Sequence, residues 1–156
     1  MPISENDKAP DFNLQNTKRE FVKLSDYEGD RNVVLLFYPL AFSGVCTTEL
    51  CSIRDNLKIY EAFDAEVIGI SIDSFFVQKA FKDSQNLNFQ LLSDFNKEAA
   101  KSYGVLYEDF FGMKGVAKRS AFVIDKSGVI RYAEILEDSS DIPDFEAIQL
   151  TLSELN

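Results

Sequence analysis

The sequence contains no histidine, no tryptophan and only two cysteines, Cys46 and Cys51, in 156 residues. Without an imidazole there can be no Ser-His or Cys-His catalytic pair. Zinc sites of the histidine-containing kinds are excluded, and two cysteines cannot make a four-thiolate site. Neither G-x-x-x-x-G-K-[ST] nor G-x-G-x-x-G occurs, so nucleotide binding has no local support. The longest wholly apolar run, residues 33–36 continuing into Phe37, is far too short to cross a bilayer. Residues 1–5 lack a basic patch leading into an apolar run, so no secretory signal is read there. Basic side chains are few, 16 against 26 acidic ones, and the net charge is −10. Such a surface repels phosphate backbones and anionic membranes, which argues against nucleic-acid and membrane partners. The expectation is a soluble, cytoplasmic protein whose cysteines are reduced thiols or a redox pair rather than a structural staple.

The length fits one compact domain over residues 1–156. A domain of this size buries enough surface to need no disulfide or metal. With fourteen Phe and no Trp, the bulky part of the core falls to phenylalanine. Residues 9–14 and 21–24 alternate polar and apolar and read as an edge hairpin. Residues 32–38 (NVVLLFY) read as a strand buried on both faces, stopped by Pro39. Ser43 then sits where a helix cap belongs. A stripe through Leu50, Ile53, Leu57, Tyr60 and Phe63 predicts one helix beyond it.

Residues 66–73 predict a second buried strand. Ser74 caps a helix to about Ser84 with Val77, Ala80 and Phe81 inward. A short strand follows at 89–92, then a helix capped by Asn96 and stopped at Gly104. Residues 105–118 read as irregular. Residues 120–124 and 129–136 form a hairpin about Asp125-Lys126-Ser127-Gly128, and 144–155 closes the chain as a helix. This order predicts an α/β fold: a mixed central sheet flanked by helices, of thioredoxin-like architecture.

The chemistry concentrates after the first buried strand, in P-L-A-F-S-G-V-C-T-T-E-L-C, residues 39–51. Ligands of open α/β sheets bind at the carboxyl ends of strands. With Ser43 as cap, Cys46 is the third helical residue. The free N–H groups of the first turn and the positive end of the helix dipole there favour a thiolate. At this point two readings stand: an activated nucleophile, or a small buried apolar residue, which free cysteine often is.

The P-x-x-x-[TS]-x-x-C pattern, matched by Pro39, Ser43 and Cys46 after an apolar strand, resembles that of the peroxiredoxins (alkyl hydroperoxide reductase/thiol-specific antioxidant family). So do the A-P-D-F opening at 9–12, the F-Y-P strand end, the Arg54-Asp55 pair and R-S-A-F-V-I-D at 119–125. The run around Cys46 is most similar to the alkyl hydroperoxide reductase E type. The second cysteine five residues on resembles the bacterioferritin-comigratory-protein type. The resemblance implies an antioxidant oxidoreductase, a thiol-dependent peroxidase for hydrogen peroxide and organic hydroperoxides. Cys46 would be its nucleophile, oxidised to a sulfenic acid.

Further roles follow from the same resemblance. Ser43 would hold thiolate and peroxide through its hydroxyl, and Pro39 would shield the sulfur. Capping the helix and stopping the strand are what these two residues do in any case. Arg119 would donate hydrogen bonds to the peroxide. Spacing alone does not choose it over Arg54 or Arg131; the family match does. Glu49, one turn past Cys46, either supports the site or is a surface residue. No cofactor or metal is implied. A thioredoxin-like or other thiol reductant is implied as partner, together with a homodimer for which Phe42, Phe110 and Phe111 are candidate contacts.

Cys51 would resolve the sulfenic acid as a disulfide. Five residues along a helix is about 7.5 Å of rise and about 140° of rotation, which puts the Cα atoms roughly 8.7 Å apart. A disulfide needs less than about 7 Å. Resolution by Cys51 therefore requires the helix to unwind, and a reduced structure should show both thiols free on one helix. A one-Cys peroxidase reduced by an external thiol is the alternative. A dithiol–disulfide oxidoreductase is disfavoured by the C-x-x-x-x-C spacing. A non-catalytic module would have no use for the Pro39/Ser43/Cys46/Arg119 set.

Overall fold

The computed structural model describes residues 3–155. Met1 and Pro2, part of the segment read for a secretory signal, and Asn156, the last residue of the expected domain, lie outside the described residues.

The first hairpin pairs β1 (Asn13–Asn16) with β2 (Phe21–Lys23), followed by a 3-10 turn at Leu24–Tyr27. The buried strand β3 (Asn32–Phe37) leads to α1 (Gly44–Asp55) and α2 (Leu57–Ala62). Then come β4 (Ala65–Ser71), α3 (Phe75–Gln85), β5 (Gln90–Ser93) and α4 (Glu98–Ser102). The antiparallel pair β6 (Ser120–Ile124) and β7 (Ile130–Ile135) precedes α5 (Phe145–Leu155). The strands form one sheet in the order β2-β1-β5-β4-β3-β6-β7. β3, β4 and β5 run parallel, while β6 runs antiparallel to β3 and β1 to β5. This is the expected mixed sheet with the hairpin at its edge.

β3 shows why its sequence lacks alternation. Val33, Leu35 and Phe37 enter a core with Tyr103, Phe122 and the α4 alanines Ala99 and Ala100. Val34, Leu36 and Tyr38 enter the core on the opposite face, with Leu50, Ile53, Phe81, Ile148 and Leu152. Successive strand side chains point to opposite faces, and both faces here are covered by helices. Gly69 on β4 makes the second core possible. A Cβ there would lie 2.8 Å from Leu91 and 3.3 Å from the Tyr38 ring.

Three expectations need correction. The stripe from Leu50 to Phe63 is two helices, because the chain leaves helical geometry at Asn56 (φ −119°, ψ 17°). On α3 the inward residues are Gln78 and Phe81, while Val77 and Ala80 face solvent. The start of α4 is held by Asp94, not Asn96. The Asp94 carboxylate accepts from the N–H groups of Ala99 (3.0 Å) and Ala100 (2.8 Å), and Lys97 takes the capping position with a left-handed backbone. The expected cap at Ser74 does form, its hydroxyl accepting from the Val77 N–H at 3.3 Å. The 105–118 stretch contains two isolated antiparallel bridges, Leu106 with Ala117 and Phe110 with Met113.

Candidate active site

The sheet register brings the site together. Phe37, the last residue of β3, pairs with Ser120, the first of β6. Arg119 therefore lies beside the carboxyl end of β3, where the chain turns into α1. On α1 the residues facing the sheet are Cys46, Glu49, Leu50 and Ile53, spaced as one helical face. Cys46 and Glu49 thus present one side of a single turn to Arg119, which is 73 residues from Cys46 in sequence.

Arg119 organises the centre. One terminal nitrogen donates to the Cys46 sulfur at 3.2 Å and to the Ser139 carbonyl at 3.1 Å. The other donates to Glu49 Oε1 at 2.6 Å, and Nε reaches the Ser139 carbonyl at 3.3 Å. A guanidinium can do this because it offers several donors in a fixed plane. Cys46, Glu49 and Arg119 are all buried. Burial works against the charge of Arg119. Glu49 and Cys46 outweigh it and hold the guanidinium above its ordinary range. Glu49 goes the other way: burial pushes its carboxyl up to about 7, with Arg119 opposing. Its second oxygen, Oε2, has no hydrogen-bond partner among the described residues.

The mouth of the site is a cavity of about 190 Å³ whose lining includes Pro39, Leu40, Ser43, Val45, Phe110, Phe111 and Arg119. Pro39 is buried behind it. Ser43 occupies the cap position of α1, but its hydroxyl donates to the Leu40 carbonyl at 3.0 Å and does not cap the helix. The hydrogen-bond partner of the sulfur is Arg119, not Ser43. First-turn N–H groups of α1, left without a side-chain cap, therefore lie at the cavity mouth, at the positive end of the helix. A larger cavity of about 380 Å³ lies elsewhere, between the first hairpin and the start of α3, and is lined by neither cysteine nor arginine.

Both cysteines are free thiols on α1. Cys51, half-buried, donates to Gln85 Oε1 at 3.5 Å. Arg54 binds the Gln85 carbonyl at 2.6 Å, and Arg131 pairs with Asp125 at 2.6 Å, so neither joins the centre. Sequence reasoning missed the Ser139 carbonyl, and it missed Asp73, whose carboxylate accepts from the Ala41 N–H at 2.7 Å. Neither lies in a recognisable motif; only the position of Asp73 just past a strand's carboxyl end was a clue.

The sequence pattern of the AhpC/TSA family matches residues 6–133. This chain belongs to that family, the peroxiredoxins. It is 41% identical over 129 residues to the alkyl hydroperoxide reductase E of Mycobacterium bovis, covering 81% of this chain and 82% of that one. It is 41% identical over 145 residues to a chloroplastic 2-Cys peroxiredoxin of Spinacia oleracea. That match covers 86% of this chain and 53% of the relative, so the chain spans about half the length of the chloroplastic relative. Among solved structures it is similar to the peroxidoxin BcpB of Mycobacterium tuberculosis, with a TM-score of 0.88, 30% identity and 99% of both chains covered. The peroxiredoxin fold is the thioredoxin-like arrangement expected from the order of elements. Among the described residues no helix is long and apolar enough to cross a membrane.

Proposed function

We propose that the protein is a thiol-dependent peroxidase that reduces hydrogen peroxide and organic hydroperoxides with the thiolate of Cys46. The observation that carries this reading is the 3.2 Å contact of Arg119 with the Cys46 sulfur at the start of α1. A cationic donor and a helix N-terminus both favour a thiolate, the nucleophilic form of cysteine. The thiolate attacks one peroxide oxygen, the O–O bond breaks, and the leaving alkoxide takes up a proton to give the alcohol. Cys46 is left as a sulfenic acid. Arg119 stabilises the charge that moves onto the leaving oxygen. Pro39 keeps water from the sulfur, and Ser43 turns its hydroxyl from Leu40 to the peroxide as substrate enters.

Cys51 then attacks the sulfenic sulfur, an S–S bond forms, and hydroxide leaves as water. A thioredoxin-type dithiol returns both cysteines to thiols. This requires α1 to unwind, and its start is built for that. Gly44, Val45, Cys46, Thr47 and Thr48 are all weak helix formers. The hydroxyls of Thr47 and Thr48 bond back to the carbonyls of Ser43 (2.8 Å) and Gly44 (3.1 Å), a pattern that slightly destabilises helices. A second reading, reduction of Cys46 by an external thiol, is favoured by the bond that keeps Cys51 on Gln85.

A second copy of the chain would cover the exposed rings of Phe42 and Phe111, which are 53% and 85% exposed beside the site. Sedimentation of the wild type against Phe111→Asp tests this, a dimer lost in the variant being the supporting result.

Intact mass after one equivalent of hydrogen peroxide tests the whole reading. Loss of two hydrogens, abolished in Cys46→Ser, is the expected result. Gain of one oxygen supports the external-thiol route. No change in the wild type overturns the peroxidase assignment.

A further inference from the structure

The loop that delivers the chain from β3 into α1 is held from outside itself. After Tyr38, whose N–H still bonds the Ile70 carbonyl at 2.9 Å, the chain leaves the sheet. Its firmest hold is the Ala41 N–H, which donates to Asp73 Oδ2 at 2.7 Å. Asp73 lies just beyond β4, 32 residues away in sequence.

The Asp73 side chain is itself fixed by a chain of hydrogen bonds running back into the fold. The Ser71 hydroxyl donates to the same oxygen at 2.7 Å. Gln78, fully buried on α3, donates from Nε2 to the Ser71 oxygen at 3.0 Å and to the Leu92 carbonyl of β5 at 2.7 Å. The Asp73 carbonyl accepts from the Ser93 hydroxyl at 2.7 Å. A buried glutamine is costly unless it is paired, and an apolar side chain would serve the core better at that position. What Gln78 does is brace Ser71 and, through it, the carboxylate.

The braced loop is strained. Phe42, directly after Ala41, has φ 68°, a left-handed conformation unfavourable for a bulky side chain. Such a backbone persists only where its surroundings over-determine it. Here the Asp73 bond holds one side, and the Phe42 ring packs on Phe81 at 5.0 Å between centroids on the other. α1 begins two residues later, so the placement of residues 41–43 sets where the first turn, and with it Cys46, meets Arg119.

We propose that Asp73 is a positioning residue for Cys46: through the Ala41 N–H it holds the first turn of α1 in register with Arg119. The inference rests on Cys46 being the peroxide-reactive thiol, and it assigns Asp73 no contact with substrate. Asp73→Ala lets the strained loop relax and frees the start of the helix. Asp73→Asn keeps an acceptor oxygen for Ala41 and removes only the charge.

The experiment compares wild type, Asp73→Ala, Asp73→Asn and Ser71→Ala. It reads the single-turnover rate of Cys46 oxidation by hydrogen peroxide, followed by intact mass, and amide hydrogen exchange over residues 40–48. The expected result is oxidation slowed by about tenfold or more in Asp73→Ala with faster exchange at the start of α1. Asp73→Asn should recover to within about threefold of wild type, and Ser71→Ala should fall between. Wild-type rate and exchange in a folded Asp73→Ala protein overturn the inference, as does an Asn variant no better than Ala. If Asp73→Ala does not fold, Ser71→Ala decides: wild-type behaviour there overturns it. If the wild type is inert to peroxide but exchange still rises in Asp73→Ala, the peroxidase reading fails and the positioning role stands.

Discussion

Arg119 and Glu49 meet at 2.6 Å with their side chains 1% and 0% exposed, an ion pair shut inside the fold beside the Cys46 sulfur. A buried pair of this kind contributes little net stability when intact, yet removing one partner strands the other charge. Glu49→Ala should therefore destabilise the protein by about 3–5 kcal/mol. Glu49→Gln, whose amide oxygen can still accept from Arg119, should be the more stable of the two variants. Chemical denaturation of the two variants beside the wild type checks the order.

The same carboxyl makes stability depend on pH. Burial raises Glu49 in the folded protein to about 7, from an ordinary value near 4.5. A raised acid is stabilising while it is protonated. That contribution is present in full below about 4.5 and is lost as the pH rises through about 7. Wild type should therefore lose stability relative to Glu49→Gln between pH 4.5 and pH 8, by on the order of 3 kcal/mol. A constant difference across that range would contradict the assignment.

Arg119→Lys keeps a positive charge but not the plane of donors that reaches Cys46, Glu49 and Ser139 together. The second-order rate with hydrogen peroxide should fall by about 100-fold or more, as when a donor to developing charge is lost. Stopped-flow kinetics measures it. A drop of less than about threefold would remove Arg119 from the chemistry.

Thr48 is exposed, and its hydroxyl bonds back along the helix. Thr48→Ala should stabilise the start of α1 by about 0.5 kcal/mol. If unwinding precedes attack by Cys51, disulfide formation slows by about twofold while oxidation of Cys46 is unchanged. Rapid-quench mass analysis separates the two steps, and equal slowing of both would argue against an unwinding gate.

The fold was legible where a pattern is local. The apolar run of β3 from Val33 to Phe37, the Asp125–Gly128 turn and the Ser74 cap each rest on residues within one element. What was not legible depends on distant partners. Asp94 reaches forward to Ala99 and Ala100, displacing Asn96. Gln78 is inward because the Ser71 hydroxyl oxygen and the Leu92 carbonyl accept hydrogen bonds from its side-chain amide, which no periodicity reveals. In the site, the helix start made Cys46 a candidate from sequence alone. Arg119 needed the family resemblance, because only the β3–β6 register brings it near. The burial of Glu49 follows from facing Arg119, and the outward turn of the Ser43 hydroxyl follows from the nearby Leu40 carbonyl.

Cys46 and Cys51 share one helix, which while intact acts as a spacer longer than the bond that would join them. On the proposed resolving route, shape and oxidation state become a single variable. A chain carrying that disulfide cannot keep its helix, and a chain keeping its helix cannot carry the disulfide. If Cys51 resolves Cys46, a protease that cuts only extended backbone distinguishes the two forms without touching sulfur, its cut site opening between residues 44 and 51 on oxidation and closing on reduction; a helix left uncut after oxidation favours the external-thiol route.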